Sequence, residues 1–215
     1  MNEYSPASYE QHDPDVRLML EVREGNEAAF EELVGRYQSR LVSVMGHLVP
    51  KRGEAEDLAQ EVFLRVYRAR QQYEPTAKFS TWLFTIANNV AFNARRSLAR
   101  RREVSVTGRS DTSDSDRSLE QIAKAASGLM PGRLFDRVER AEVVRQAIDT
   151  LNDRQRLAVI LAKFEGMSYA EIGEAMGLSV QATKSLLCRA RENLRVILEP
   201  YMQDGIRPSE EPDRG

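Results

Sequence analysis

Cysteine is nearly absent: Cys188 is the only one in 215 residues. That excludes an internal disulfide and a cysteine cage for zinc. Histidine is almost as scarce, and His12 and His47 stand far apart, which reads as ordinary surface or core-edge placement rather than metal ligation. Long apolar runs are missing too. Stretches such as 41–49 and 157–162 fall well short of the ~18 residues that a membrane span needs. The opening MNEYSPASYEQHDPD is polar and acidic, without the basic start and apolar core of a secretory signal. Neither sign of charge dominates, with 31 Lys plus Arg against 33 Asp plus Glu and a net charge of −2. A uniformly basic nucleic-acid coat is therefore excluded. Local basic patches are not, because charges are screened within about 10 Å. No nucleophile–base set, Gly-rich phosphate loop or metal cluster is visible, so no catalytic residue, cofactor or metal is expected, and the chain does not read as an enzyme. A cytoplasmic protein without membrane insertion is the expectation.

What is present is amphipathic helix. Apolar residues make up 41% and charged residues 30%, a globular balance. There is no sustained period-two run, and proline is nearly absent inside two blocks, 15–102 and 135–201. Residues 1–14, 103–134 and 202–215 are polar or rich in Ser, Asp, Pro and Gly. They read as a disordered N-terminus, a flexible linker and a disordered tail. The fold class expected is all-α, with two helical domains joined by that linker. Breaks at Gly25, Pro50 and Glu74-Pro75 divide the first block into helices at about 15–24, 27–49, 54–73 and 80–102, with Asn26 as a cap. The second block gives helices at about 135–150, 153–164 behind Asn152, a short one from Ser168, and a longer one from Ser179 ending before Pro200.

Three helical faces carry more than core. At about 100° per residue, Leu58, Ala59, Val62, Phe63 and Val66 form a core stripe. Asp57, Gln60, Glu61, Leu64 and Arg68 lie opposite; a solvated face is the ordinary reading of such residues, and Leu64 among acids and amides is the feature that points instead to protein docking. In the next helix Leu83, Ile86, Ala87, Val90, Ala94 and Leu98 line the inner side. Thr81, Thr85, Asn88, Asn89, Phe92, Arg95 and Arg96 line the outer side, with Trp82 and Asn93 at the boundary. Amides present paired donors and acceptors to base edges, rings stack on unpaired bases, and arginines meet phosphates. No acid interrupts 88–102. Trp82 fits the core equally well, and a modest rotation would bury Phe92.

The third face belongs to a helix-turn-helix. Ser168-Tyr-Ala-Glu171 is a capping box, Gly177 suits a left-handed helix end, and Leu178 plugs the turn. Ser179 caps the second helix, whose inner residues are Val180, Thr183, Leu187, Ala190 and Leu194. Gln181, Ala182, Ser185, Cys188 and Arg189 face outward, flanked by Lys184 and Arg191. Small and polar residues at the start of a basic second helix suit the major groove. For Cys188, a spectator thiol is a simpler reading than a redox sensor.

These segments resemble a known family. EDLAQEVFLRVYRA (56–69) and KFSTWLFTIANNVAFNARR (78–96) resemble region two of bacterial RNA polymerase sigma factors. Residues 151–195, beginning LNDRQRLAVILAKFEGMSYAEIGEAMGLS, resemble region four. With no region-three domain between them, the chain is similar to the extracytoplasmic-function (ECF) group. The resemblance implies a sigma factor that binds core RNA polymerase and promoter DNA. It assigns polymerase docking to Asp57, Gln60, Glu61, Leu64 and Arg68. Minus-ten capture and melting would fall to Lys78, Ser80, Thr81, Trp82, Asn88, Asn89, Phe92, Asn93, Arg95 and Arg96. Minus-thirty-five reading would fall to Ser179, Gln181, Ala182, Lys184, Ser185, Cys188 and Arg189. ECF factors are commonly held by an anti-sigma factor, and no residue here identifies one. The aligned recognition helix departs from the group at Leu186, where an Arg is usual. Two other classes bear comparison: a stand-alone helix-turn-helix regulator would not need the 56–96 constellation, and a polymerase-binding protein without DNA contacts would not need the amide–arginine face.

Overall fold

The computed structural model describes residues 6–49, 53–105 and 131–204, and all their regular structure is helical. In chain order the helices are α1 (Pro6–His12), α2 (Pro14–Arg23), α3 (Glu27–Leu48), α4 (Gly53–Ala69), α5 (Phe79–Ser105), α6 (Pro131–Thr150), α7 (Asp153–Lys163), α8 (Tyr169–Met176) and α9 (Val180–Asp204). A 3-10 turn over Arg70–Gln72 follows α4. The all-α expectation holds. Helix α1 lies inside the segment read as disordered, α6 begins four residues earlier than expected, and α9 continues past Pro200. The bulk of the expected linker and of the tail lies outside the described residues.

The described residues divide into two compact units. The first contains residues up to 97 together with 153–190; the second contains the rest. In the first unit, Asp13 holds two helix starts at once. Its Oδ1 accepts from the Asp15 N–H at 3.0 Å, capping α2, and its Oδ2 accepts from the Phe79 N–H at 3.1 Å at the start of α5. Each bond satisfies a donor that a helix N-terminus leaves free. Asn26 caps α3 as expected, through its side-chain oxygen and the Ala29 N–H. Asp15 takes a 2.5 Å hydrogen bond from the Tyr37 hydroxyl and pairs with Arg36. Burial, aided by the Asp15 carboxylate, pushes the Tyr37 phenol above its ordinary range, so it stays a donor.

Between these polar ties the helices bury one apolar stripe each. Val16, Met19 and Val22 come from α2, Leu33, Leu41, Val44 and Met45 from α3, and Val62 and Val66 from α4. Phe79, Leu83, Phe84, Ala87 and Val90 complete the stripe from α5. A fully buried Leu or Phe contributes roughly 1.5–3 kcal/mol, so this stripe, not helix propensity, holds α2–α5 together. In the second unit Val143, Ala147, Ile148 and Leu151 are buried, and the far part of α9 is laced by Arg195 with Glu192 and Glu199.

Candidate polymerase and nucleic-acid interfaces

Helix α4 carries the five residues to which the sequence reading gives polymerase docking. Asp57, Gln60, Leu64 and Arg68 are exposed, and Leu64 is 51% exposed. Glu61 is half-buried and accepts from Arg65 at 2.7 Å, an i,i+4 pair.

On helix α5 Thr81 departs from its expected outer face, while Trp82 lies at the boundary where it was expected. Thr81 is buried, at 1% exposure, and its hydroxyl has no hydrogen-bond partner in the protein. Trp82 is half-buried and stacks edge-on against Tyr73 at 4.8 Å, tilted beside Phe79 at 6.1 Å. The reason lies at the start of α5: Tyr73, in the preceding turn, and Phe79, the first residue of the helix, are both buried and draw the first helical turn inward. Ile86 and Ala94, expected inside, are half-buried at the edge, while Phe84 and Ala91 are fully inside. The side chain of Leu98 lies outside the described residues.

The rest of the face projects. Asn89, Asn93 and Arg96 are exposed, Phe92 is 62% exposed, and Ser80 is half-buried. Asn88 is half-buried and reaches the Ala175 carbonyl at 3.5 Å. Lys78 pairs with Glu171 at 2.7 Å. Arg95 donates to the Leu48 carbonyl at 3.3 Å and pairs with Asp153.

The helix-turn-helix forms as read. Ser168 Oγ accepts from the Glu171 N–H at 3.3 Å, and the Glu171 carboxylate accepts from the Ser168 N–H at 2.7 Å. Gly177 closes α8 in the left-handed region, at φ 65° and ψ 39°. Leu178 then donates its N–H to the Gly173 carbonyl at 2.7 Å. Gly173, which the sequence reading did not single out, is the tight point of the motif. A Cβ there would stand 2.7 Å from the Leu178 carbonyl oxygen and 3.1 Å from Thr183 Oγ1. Its signal was a glycine inside a short helix, four residues before the turn glycine.

On α9, Gln181, Ala182, Lys184, Cys188 and Arg189 are exposed, and Ser185 is half-buried. Ser179 Oγ is engaged as a cap, accepting from the Ala182 N–H at 3.2 Å. Val180, assigned to the inner face, is 45% exposed, because it occupies the first turn beyond the reach of the packed stripe of Thr183, Leu187 and Ala190. Leu186 is half-buried.

Three electrostatic shifts follow from these contacts. Glu171 is pushed up by burial, but hydrogen bonds from Lys78 and Ser168 outweigh this and leave it below its ordinary value. Lys78 is raised by its bond to Glu171. Glu174 is raised, by burial and then by the Glu171 charge. Among the described residues no group of three or more His, Cys, Asp or Glu could hold a metal ion, and no helix is long and apolar enough to cross a membrane.

Among the described residues the structure is helical, with an exposed α4 face, an amide-bearing α5 face and a capped helix-turn-helix. Residues 33–101 match the sigma-70 region 2 model, and residues 141–194 match sigma-70 region 4. The chain is 33% identical over 192 residues to the RNA polymerase sigma-H factor of Pseudomonas aeruginosa, covering 88% of this chain and 96% of that protein. It is 31% identical over 191 residues to the ECF RNA polymerase sigma-E factor of Escherichia coli K12, with 88% and 96% covered. Among solved structures, its fold is similar to CnrH in a complex with the cytosolic domain of CnrY, at a TM-score of 0.61 and 23% identity, covering 87% of this chain and 98% of that one. The sigma factor RpoE of Bartonella quintana, solved with the anti-sigma factor NepR, also has a TM-score of 0.61, at 22% identity, with 79% and 96% covered. The chain belongs to the ECF sigma-factor family of RNA polymerase.

Proposed function

We infer that this sigma factor binds core RNA polymerase through α4 and directs it to promoters, with α5 engaging the opened minus-ten element and α9 reading the minus-thirty-five element as duplex. The polymerase performs the chemistry, in the cytoplasm, and the chain itself is non-catalytic. One observation carries the reading: region 2 and region 4 matches stand in order in one chain, which no stand-alone helix-turn-helix regulator requires. The exposure of Leu64 on α4, of Asn89 and Phe92 on α5, and of Lys184 and Arg189 on α9 supports the division of labour. Exposed amides and a ring suit unpaired bases, while cations on a helix-turn-helix suit a duplex. Regulation by an anti-sigma factor is part of the same family-based reading.

Run-off transcription with purified core polymerase tests it. Addition of the chain should produce promoter-dependent transcripts. Asn89→Ala and Phe92→Ala should lower open-complex formation, and a template pre-melted over the minus-ten element should restore it. Lys184→Ala and Arg189→Ala should weaken upstream duplex binding, each lowering the salt dependence by about one unit, and the bubble should not restore them. Rescue of the Lys184 and Arg189 variants by the bubble would reverse the assignment.

A further inference from the structure

Helix α2 lies before the segment that matches region 2, which begins at residue 33, and it carries none of the docking or DNA-facing candidates. Both of its ends nevertheless grip the loop that leads into α5. At the amino end, Asp13 Oδ2 accepts from the Phe79 N–H at 3.1 Å. At the carboxyl end, Arg23 Nη1 donates to the Tyr73 carbonyl at 3.3 Å, and the Arg23 carbonyl accepts from Gln71 Nε2 at 2.9 Å. The two grips stand at the two ends of residues 73–79. The helix between them has ten residues and a length of roughly 15 Å. Its inner face of Val16, Met19 and Val22 is buried, so it can neither slide nor roll without opening a close-packed core.

The start of α5 needs this help. Lys78 holds the cap position, since its carbonyl accepts from the N–H groups of Thr81 and Trp82 at 3.0 and 3.3 Å. A lysine side chain only donates, so it cannot serve the free N–H groups of a helix start. Asp13 brings an acceptor from outside, and a carboxylate suits that end of the helix dipole. Lys78, Ser80 and Trp82, three candidates for minus-ten contact, occupy this cap and the first turn, and the Trp82 ring packs against Tyr73 at 4.8 Å.

We propose that α2 is a splint for the minus-ten face: Asp13 and Arg23 are positioning residues that fix the two ends of 73–79, and with them the phase in which α5 presents Lys78, Ser80 and Trp82 to an opened strand. This assignment rests on the sigma-factor reading. A preset phase removes the need to order the loop when the strand arrives. Loss of either grip leaves the contact residues in the chain but lets them wander, so the defect falls on the opened strand and not on polymerase or upstream duplex.

Asp13→Asn and Arg23→Met remove the grips one at a time. An asparagine can turn its oxygen to only one of the two N–H groups, and its amide nitrogen then faces the other donor. Methionine keeps an apolar stem without a donor, whereas Arg23→Lys keeps a donor. Asn26→Ala removes the α3 cap, bonded to the Ala29 N–H at 3.3 Å, and is the control for a comparable loss elsewhere in the same unit. All are compared at a temperature where thermal melts show each chain folded. Asp13→Asn and Arg23→Met should speed amide exchange across 73–82 by about threefold or more and slow open-complex formation by a similar factor, the scale of one lost hydrogen bond. Arg23→Lys should recover most of the loss, and Asn26→Ala should show neither effect. Affinity for core polymerase and for upstream duplex should stay at the wild-type value throughout. Exchange or opening no different from that of Asn26→Ala overturns the splint, as does an equal fall in polymerase or duplex affinity. Promoter-dependent transcripts from the wild-type chain, with grip variants that match the control, would sink the splint alone. Absence of transcripts from every chain, wild type included, would sink the sigma-factor reading.

Discussion

Thr81 shows how much a single hydroxyl can separate two readings of one residue. It lies on the polar side of α5 by helical angle, yet it is buried and its Oγ1 lacks a protein partner. A buried, unmatched hydroxyl costs about 1–3 kcal/mol. Thr81→Val should therefore leave thermal stability unchanged or raise it by up to about 1 kcal/mol, and should leave open-complex formation intact. A loss of melting activity without a loss of stability would return Thr81 to the DNA face. The error in the sequence reading is physical. Periodicity assigns a face from helical angle alone, while the first turn of α5 is pulled inward by Tyr73, which precedes the helix, and by Phe79 at its start. Phe92 escaped that problem because it sits three turns further on, where no aromatic residue of the preceding turn reaches. Asn88 and Arg95 kept their helical side but gained partners 87 and 47 residues away, which no local pattern could announce.

At the scale of the element, the helix-turn-helix was the most legible part, because its determinants are local. Ser168, Glu171, Gly177 and Ser179 act within one or two turns of themselves, so spacing alone identifies them. Gly173 was missed because its constraint comes from the chain folding back on it, through Leu178 and Thr183. The capping box also predicts a pH response. Glu171 lies below its ordinary value of 4.5, so its contribution is complete above that value and is lost as pH falls through the lower folded-state value. Glu174, raised by burial and by Glu171, works in the opposite direction and softens the loss. Thermal melts between about pH 6 and pH 3 should show the wild-type chain losing more stability than Glu171→Gln. Equal slopes would mean that the carboxylate charge contributes nothing to the cap. At neutral pH, Ser168→Ala should cost about 0.5–2 kcal/mol, measurable by denaturant titration.

At the scale of the whole molecule, the helices of 15–102 and 135–201 were readable among the described residues because of their apolar stripes and breaks, whereas the compact units were not, since 153–190 joins the residues up to 97. The meeting of region 2 and region 4 residues was not, since ion pairs such as Lys78–Glu171 leave no periodic trace. Limited proteolysis of the free chain should cut first within 103–134, whose stretch 107–118 carries no apolar residue to bury, and equal protection throughout would contradict the flexible linker. The double role of Asp13 bears on how the chain is made. Its second hydrogen bond, to Phe79, spans 66 residues. At about 5–20 residues per second, a ribosome needs roughly 3–13 s to advance from one partner to the other. During that interval α2 can form and α5 does not yet exist, so Asp13 waits with one carboxylate oxygen unclaimed. The amino-terminal block can close only once Phe79 has left the exit tunnel, which makes the birth of α5 the moment at which this half of the protein becomes a folded body.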